Sequence, residues 1–128
     1  MATLTPTLTL VSTDAFTHQP IKLSVTDSLS VVAPYTDISR VAAATTGTII
    51  TVALGSPITY FYLKHTGTLA ADGNETTNLV TVADAGGATI ATLAAGEFMF
   101  FPSAAGEGVK VTTATAAAFV EYIYFSKA

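Results

Sequence analysis

The chain has no cysteine, a single arginine and little charge of either sign. The absence of cysteine excludes a disulfide framework, a thiolate metal site and a cysteine nucleophile. Only 11% of its 128 residues are charged, whereas average soluble domains carry about 25%. We therefore expect much of the surface to be covered by neighbouring subunits, or by threonine and serine, which suit a half-wet pleated surface.

Basic side chains are too few and too scattered to form a phosphate-binding stripe. The net charge is −4 and the pI about 4.8, and the basic residues are spread along the chain (Lys22, Arg40, Lys64, Lys110 and Lys127). Direct nucleic-acid binding is therefore not expected. At this length we expect one domain with a sizeable core.

The sequence also gives little sign of targeting or of a membrane span. Residues 1–6 lack the basic segment and the apolar run of a signal peptide. No charged residue lies between Arg40 and Lys64, which is long enough to cross a bilayer. Several threonines and the Gly55-Ser56-Pro57 turn interrupt it, however, so two adjacent strands are the better interpretation, and no membrane partner is expected.

Segments of alternating polarity, separated by glycine, proline and aspartate, run through the chain. They predict an all-β fold of eight to ten strands and almost no helix, arranged as an antiparallel β-sandwich or jelly-roll-like domain. In the last third, residues 78–125, the pattern predicts a meander, with one strand stopped by Pro102. Residues 29–32 predict another strand, stopped by Pro34. Residues 35–44 fit a helical turn or an irregular strand.

The first 15 residues are predicted to form an extended N-terminal arm, and residues 16–128 a single sandwich domain. Leu4, Leu8 and Leu10 alternate with threonines, and Pro6 within the pattern favours an edge strand or an arm. An ordered arm of this kind would dock on its own sheet or on a neighbouring subunit. Residues 21–26, which follow, read as a half-buried strand with Ile21, Leu23 and Val25 inward.

Residues 58–65 form the strongest predicted strand. Phe61 and Leu63 point to one face, and Tyr60 and Tyr62 to the other. Large side chains on both faces predict a strand covered on both sides, in the centre of a sandwich or at a subunit interface. The aromatic residues near the end of the chain also alternate within strands, so we expect them in the core or at an interface.

The candidate metal ligands form no recognisable motif. His18 and His65 lack metal-ligand spacing, and we expect each to be a surface or hydrogen-bonded histidine. The segment Asp72-Gly73-Asn74-Glu75 resembles a calcium loop but lacks the spaced acidic series, so a solvated turn is favoured. No cofactor is expected.

The candidate catalytic carboxylates are isolated. Glu97 opens a strand, Glu107 lies in a tight turn, and Glu121 interrupts an apolar strand. Glu121 is expected either as a buried carboxylate or, more often for such a residue, facing solvent or a subunit contact beside Lys110 or Lys127. No nucleophile motif or phosphate-binding loop accompanies them. A hydrolase using Glu97 or Glu121 is therefore a minor hypothesis, and the chain is predicted not to be an enzyme.

One part of the sequence resembles small virion proteins of tailed bacteriophages. It spans residues 58–125 and contains Leu93-Ala94-Ala95-Gly96-Glu97-Phe98, followed by Val109-Lys110-Val111 and a terminal Val120-Glu121-Tyr122 strand. The resemblance implies a β-sandwich or jelly-roll subunit that decorates or cements a capsid, or that belongs to the tail. It implies no active-site residues.

These observations together predict a structural protein on the exterior of a virion. Its expected partners are the major capsid protein and copies of itself in a homotrimer; the alternative is a tail or fibre component that binds a host glycan through Tyr60, Tyr62 or the loop at residues 72–75. Binding would depend on the arm and on the loop at residues 66–78. The predicted interface residues are Leu4, Leu8, Leu10, Tyr60, Tyr62, Asp72 and Asn74.

Overall fold

A computed structural model describes residues 2–15, 18–50, 59–104 and 108–128. In these residues the fold is all-β, without helix, and has several antiparallel sheets consistent with a β-sandwich, as the sequence predicts. The strands number more than predicted; in chain order they are β1 (Ala2–Leu4), β2 (Thr7–Ser12), β3 (Ile21–Thr26), β4 (Leu29–Tyr35), β5 (Ser39–Ala43), β6 (Thr48–Ile50), β7 (Thr59–Leu69), β8 (Val80–Asp84), β9 (Thr89–Leu93), β10 (Phe98–Ser103), β11 (Val109–Thr113) and β12 (Ala118–Lys127).

The largest sheet is built around β12. On one side β12 pairs with β7, which in turn pairs with β10. On the other side, the first half of β12 pairs with β5 and its last residues pair with β4, which carries β1 at its outer edge. A single long strand therefore holds together segments from both ends of the chain.

The second sheet has the order β6-β11-β8-β9 and packs against the first through a shared core. Valines dominate its inner face: Val80, Val82, Val109 and Val111 are all essentially inaccessible to solvent. They pack with Phe61, Leu63 and Val120 of the large sheet in one hydrophobic cluster. Alternate residues of each strand supply this core, as expected for two sheets stacked face to face.

The predicted meander over residues 78–125 is wrong, although the predicted strands are present. Among the described strands of this region, β8 and β9 alone form a hairpin; β10 then crosses to the large sheet, β11 returns to the small one and β12 crosses again. Alternation of polar and apolar residues indicates which side of a strand is buried, but not which strand lies beside it.

The two prolines that were predicted to stop strands lie within them instead. Pro102 belongs to β10, which in the described structure has a partner on one side only, so its missing N–H costs no ladder bond on the open edge. Pro34 belongs to β4 at an irregularity, where Tyr35 pairs with Phe125 but Val32 with the next residue, Ser126. Edges and bulges are where sheets tolerate proline.

The segment from Tyr35 to Ala44 contains the end of β4 and the strand β5, and no helical turn. Ser39–Ala43 pairs with Tyr122–Ala118 of β12 across five consecutive positions. Farther along, β6 at Thr48–Ile50 lies in the uncharged stretch between Arg40 and Lys64 where strands are expected, and residues 51–58 lie outside the described residues.

The strands β2 and β3 form a separate two-stranded sheet. They pair in continuous register from Thr7↔Thr26 to Ser12↔Ile21, and we call this element the β2–β3 hairpin. Much of the predicted arm is therefore held by strand pairing, with β1 in the large sheet and β2 in the hairpin. The predicted half-burial of β3 is wrong, because β2 is its main neighbour: Leu23 and Val25 remain 44% and 52% exposed.

Candidate interaction surface

A groove of about 720 Å³ opens between the base of the β2–β3 hairpin and the outer face of the large sheet. We call it the apolar groove. Leu8 and Val25 line it on the hairpin side, and Tyr60, Tyr62, Phe98 and Phe100 line it on the sheet side. It is the place where predicted interface residues from two distant parts of the chain, Leu8 and the two tyrosines, come together.

The aromatic wall of the groove follows from strand alternation. Because Phe61 and Leu63 point into the core, Tyr60 and Tyr62 point to the opposite face of β7. On β10, Met99 and Phe101 pack against the core, so Phe98 and Phe100 share the outer face with the tyrosines. Phe100 stacks on Tyr60 with ring centroids 6.2 Å apart, and Phe98 lies tilted beside Tyr62 at 6.5 Å.

The two phenylalanines on β10 carry most of the exposed aromatic surface. Tyr60 is only 7% exposed because Phe100 covers it, whereas Phe98 is 60% and Phe100 40% exposed. The predicted placement of these phenylalanines in the core is therefore wrong, and their placement at an interface stays a prediction. In the sequence, Phe98 and Phe100 alternate with Met99 and Phe101, and this alternation is the signal that the two pairs face opposite sides of β10. Clustered exposed aromatic side chains of this kind mark interaction surfaces.

The hairpin presents a second apolar surface. Leu8 lies opposite Val25 and Leu10 opposite Leu23, so these four side chains share one face of the ribbon. Each is between 44% and 52% exposed. The other face is more polar, with Thr9 opposite Ser24 and Val11 opposite Lys22. The hairpin is thus amphipathic, and the described residues leave its apolar face about half-exposed.

Glu121 lies on the same outer face as the tyrosines, beyond the groove. It is half-buried and lies in register with Lys64 on one side and Arg40 on the other; a subunit contact beside Lys110 or Lys127 stays a prediction. Burial, and secondarily the negative charge of Glu121, raise the pKa of Tyr62 above its usual 10.0. The negative charge of Glu121 therefore makes deprotonation of the neighbouring Tyr62 phenol less favourable.

We expect Glu121→Gln to lower the pKa of Tyr62 while leaving it above its usual value, because burial is the larger cause of the shift. The raised pKa means that the folded state favours the neutral phenol. This contribution to stability is present below pH 10 and is lost as the pH rises through the pKa of the folded state. Carbon-13 NMR of labelled tyrosine over an alkaline titration measures it; an unchanged Tyr62 titration in the variant would contradict the assignment.

Glu97 has a structural role in a turn. Its carboxylate oxygen Oε2 accepts a hydrogen bond from the N–H of Ala94 at 2.6 Å, and its carbonyl accepts one from the N–H of His65 at 2.9 Å. These bonds fix the connection between β9 and β10. Glu107, the third carboxylate singled out in the sequence, lies outside the described residues.

Asp72 and Asn74 lie far from the apolar groove. They follow the far end of β7, about 30 Å along the strand from Tyr60 at the usual rise per residue. The Asp72 carboxylate accepts hydrogen bonds from the backbone N–H and the side-chain amide of Asn74, at 3.0 and 2.8 Å. This is a self-contained turn, and the described residues hold no group of three or more potential metal ligands.

His65 is fully buried in β7 and hydrogen-bonded, in agreement with the expectation for a non-ligand histidine. The N–H of Gly67 donates to Nδ1 at 3.0 Å, so Nε2 carries the proton and donates to the carbonyl of Asn78 at 2.7 Å. The ring thus ties the segment leading into β8 to β7. His18 is exposed.

Comparisons with known proteins leave this surface to be interpreted from its own geometry. The chain matches no protein-family model, no curated protein and no solved structure. In the parts of the chain that the structure describes, there is also no helix of sufficient length and apolarity to span a membrane. What the geometry offers is two adjacent apolar surfaces, the groove and the hairpin face.

Proposed function

We propose that this chain is a structural virion protein of a tailed bacteriophage that binds the outside of the capsid shell as a decoration or cement subunit. The observation that carries the proposal is the pair of uncovered apolar surfaces, the groove and the hairpin face, on a sandwich with few charges. Its proposed partners are the major capsid protein and copies of itself, without nucleic acid or membrane. The resemblance of residues 58–125 to small virion proteins points in the same direction.

The proposed mechanism is stabilisation by preferential binding. A subunit that binds only the assembled shell stabilises the assembled state. The stabilisation grows as the concentration of free subunit rises above its Kd. An amphipathic β-hairpin suits this task, because extended strands can add to exposed sheet edges or lie on apolar surfaces of a neighbouring protein. The low charge of the chain favours contacts in which apolar side chains leave water.

The test is to purify particles from cells that carry the encoding gene and to count copies of this polypeptide by quantitative mass spectrometry. Hundreds of copies per particle are expected for a shell subunit, whereas about six to a dozen would indicate the neck or tail. Particles lacking the chain should bind purified protein on co-sedimentation and melt at a higher temperature when they do. Absence of the polypeptide from the particles would overturn the proposal.

A role without catalysis is part of the same proposal. The two described carboxylates considered for hydrolysis are otherwise engaged: Glu97 receives the Ala94 N–H within a turn, and Glu121 lies between basic strand neighbours next to Tyr62. Glycoside hydrolysis requires a second carboxylate across the scissile bond, whereas the strand neighbours of Glu121 are the basic residues Lys64 and Arg40.

The second candidate function is recognition of a host glycan by a tail component. The exposed rings of Phe98 and Phe100 favour it, because sugars stack on accessible aromatic faces. Tyr60 is less suited than the sequence suggested, since Phe100 covers it. A glycan array probed with the purified chain, with Phe98→Ala as the control, distinguishes the two functions; specific binding that Phe98→Ala abolishes would favour the tail component.

A further inference from the structure

We propose that the apolar groove binds the β2–β3 hairpin of a second copy of this chain. The inference deepens the proposed function, because it rests on the self-association that the function includes, and it names the surfaces that form the contact. Each copy carries both halves of this contact: a protruding hairpin with an apolar face and a groove with an aromatic wall.

In the described structure, the outer half of the hairpin packs against no other strand of its own chain. Leu8 and Val25 line the groove of their own copy, but Leu10 and Leu23, two residues farther out, do not. Among the described strands, the substantial contacts of β2 and β3 are with each other. A two-stranded ribbon on its own is at best marginally stable in water. A hairpin of this kind is stabilised when its apolar face packs against another surface.

Charge selects the kind of partner that fits the groove. Two charged residues, Asp27 and Lys127, are found among the described groove residues, and their charges cancel. The hairpin face formed by Leu8, Leu10 and their cross-strand partners Val25 and Leu23 carries no charge. A second copy can therefore approach without like-charge repulsion, whereas a strongly charged ligand gains little.

The exposed area favours a reciprocal exchange between two copies. The six half-exposed apolar side chains present on the order of 500 Å² per copy; they are Leu8, Leu10, Leu23, Val25, Phe98 and Phe100. A pair that covers both sets buries about 1,000 Å² in total, the lower bound for a specific interface. In a cyclic homotrimer, the oligomer expected from the sequence, the same surfaces would form three contacts of about 500 Å² each.

The groove also offers backbone groups to an incoming strand. β10 forms one margin of the aromatic wall, and its edge away from β7 has no strand partner in the described structure. Exposed edges of this kind pair with strands from other chains. Pro102 cannot donate a hydrogen bond, so pairing is confined to the Phe98 end of β10.

The experiment is sedimentation velocity of the purified full chain at about 1 to 100 µM, a range that brackets the affinity of a small interface. The wild type should associate. The hairpin variant Leu10→Thr/Leu23→Thr and the groove variant Phe98→Thr/Phe100→Thr should each weaken association at least about thirtyfold. Val11→Thr is the matched control, because Val11 is 68% exposed on the opposite face of the same hairpin, and it should associate like the wild type.

Mixing the two variants provides the sharper test. The hairpin variant keeps an intact groove and the groove variant keeps an intact hairpin, so an equimolar mixture should form one intact contact and recover part of the association. General apolar stickiness predicts no recovery. A monomeric wild type, equal loss in Val11→Thr, or no recovery on mixing would overturn the proposal. Circular dichroism confirms that each variant is folded, and threonine preserves strand propensity.

The outcome is independent of the virion test. A chain that is monomeric but present in hundreds of copies on particles refutes the hairpin contact and leaves the proposed binding to the capsid shell standing. A chain that associates through its hairpin but is absent from particles supports the hairpin contact and overturns the proposed virion function.

Discussion

Replacing Phe61 by alanine should remove about 3–5 kcal/mol of unfolding free energy, the cost usual for truncating a buried phenylalanine. Phe61 is completely buried in the core between the two sheets. Its ring lies 5.8 Å from both Phe101 and Tyr124, so truncation removes two aromatic contacts and leaves a cavity. Domains of this size have about 5–15 kcal/mol in total, so the variant should be close to unfolding at ambient temperature.

Urea unfolding followed by far-UV circular dichroism measures this loss. The matched control is Phe98→Ala, the same substitution on the neighbouring strand at a ring that is 60% exposed. It should cost less than about 1 kcal/mol in dilute solution, as surface substitutions usually do. Equal losses in the two variants would mean that the two faces of the large sheet are buried alike, contrary to the structure.

Replacing His65 by leucine should cost about 2–4 kcal/mol, because it leaves two polar groups without partners and each costs about 1–3 kcal/mol. The carbonyl of Asn78 loses the bond from Nε2, and the N–H of Gly67 loses the acceptor Nδ1. Leucine has a similar volume and fills the same buried site, so the loss reports mainly on hydrogen bonding.

The chain contains its own control for this substitution. The other histidine of the chain, His18, is exposed, so His18→Leu should leave the midpoint of urea unfolding unchanged. If His65→Leu were as stable as the wild type, the two hydrogen bonds of the buried ring would make no net contribution. Amide hydrogen exchange at Gly67 gives a second readout, since that N–H should exchange faster in the variant.

The sequence predicts the strands of this fold better than their neighbours. The alternation in β7 correctly places Phe61 and Leu63 in the core, because a period of two needs no knowledge of the partner strand. Alternation does not give the partner of β10, whose pairing with β7 and not with β9 depends on contacts between residues 34 to 44 positions apart. Proline is likewise ambiguous, since Pro102 is compatible with a strand once that strand lies at an edge.

The candidate surface could be predicted in part. Tyr60, Tyr62 and Leu8 are found in one groove, and the reason for selecting them, apolar side chains on faces away from the core, is local. The exposure of β3 could not be predicted in this way. An alternating strand is expected to bury one face, and only the three-dimensional arrangement shows that Leu23 and Val25 remain about half-exposed. Asp72 and Asn74 were selected for their polarity and lie at the opposite end of β7.

The position of β12 at the centre of the large sheet determines when the chain can fold. β4, β5 and β7 all pair with residues 118–127, so during synthesis their common partner leaves the ribosome after all three of them. Until then these segments expose unpaired edges, and the sheet can close only through contacts across most of the chain. Folds dominated by such distant contacts take roughly milliseconds to seconds. We therefore expect folding of this sheet to begin after β12 has emerged, as a late and cooperative event.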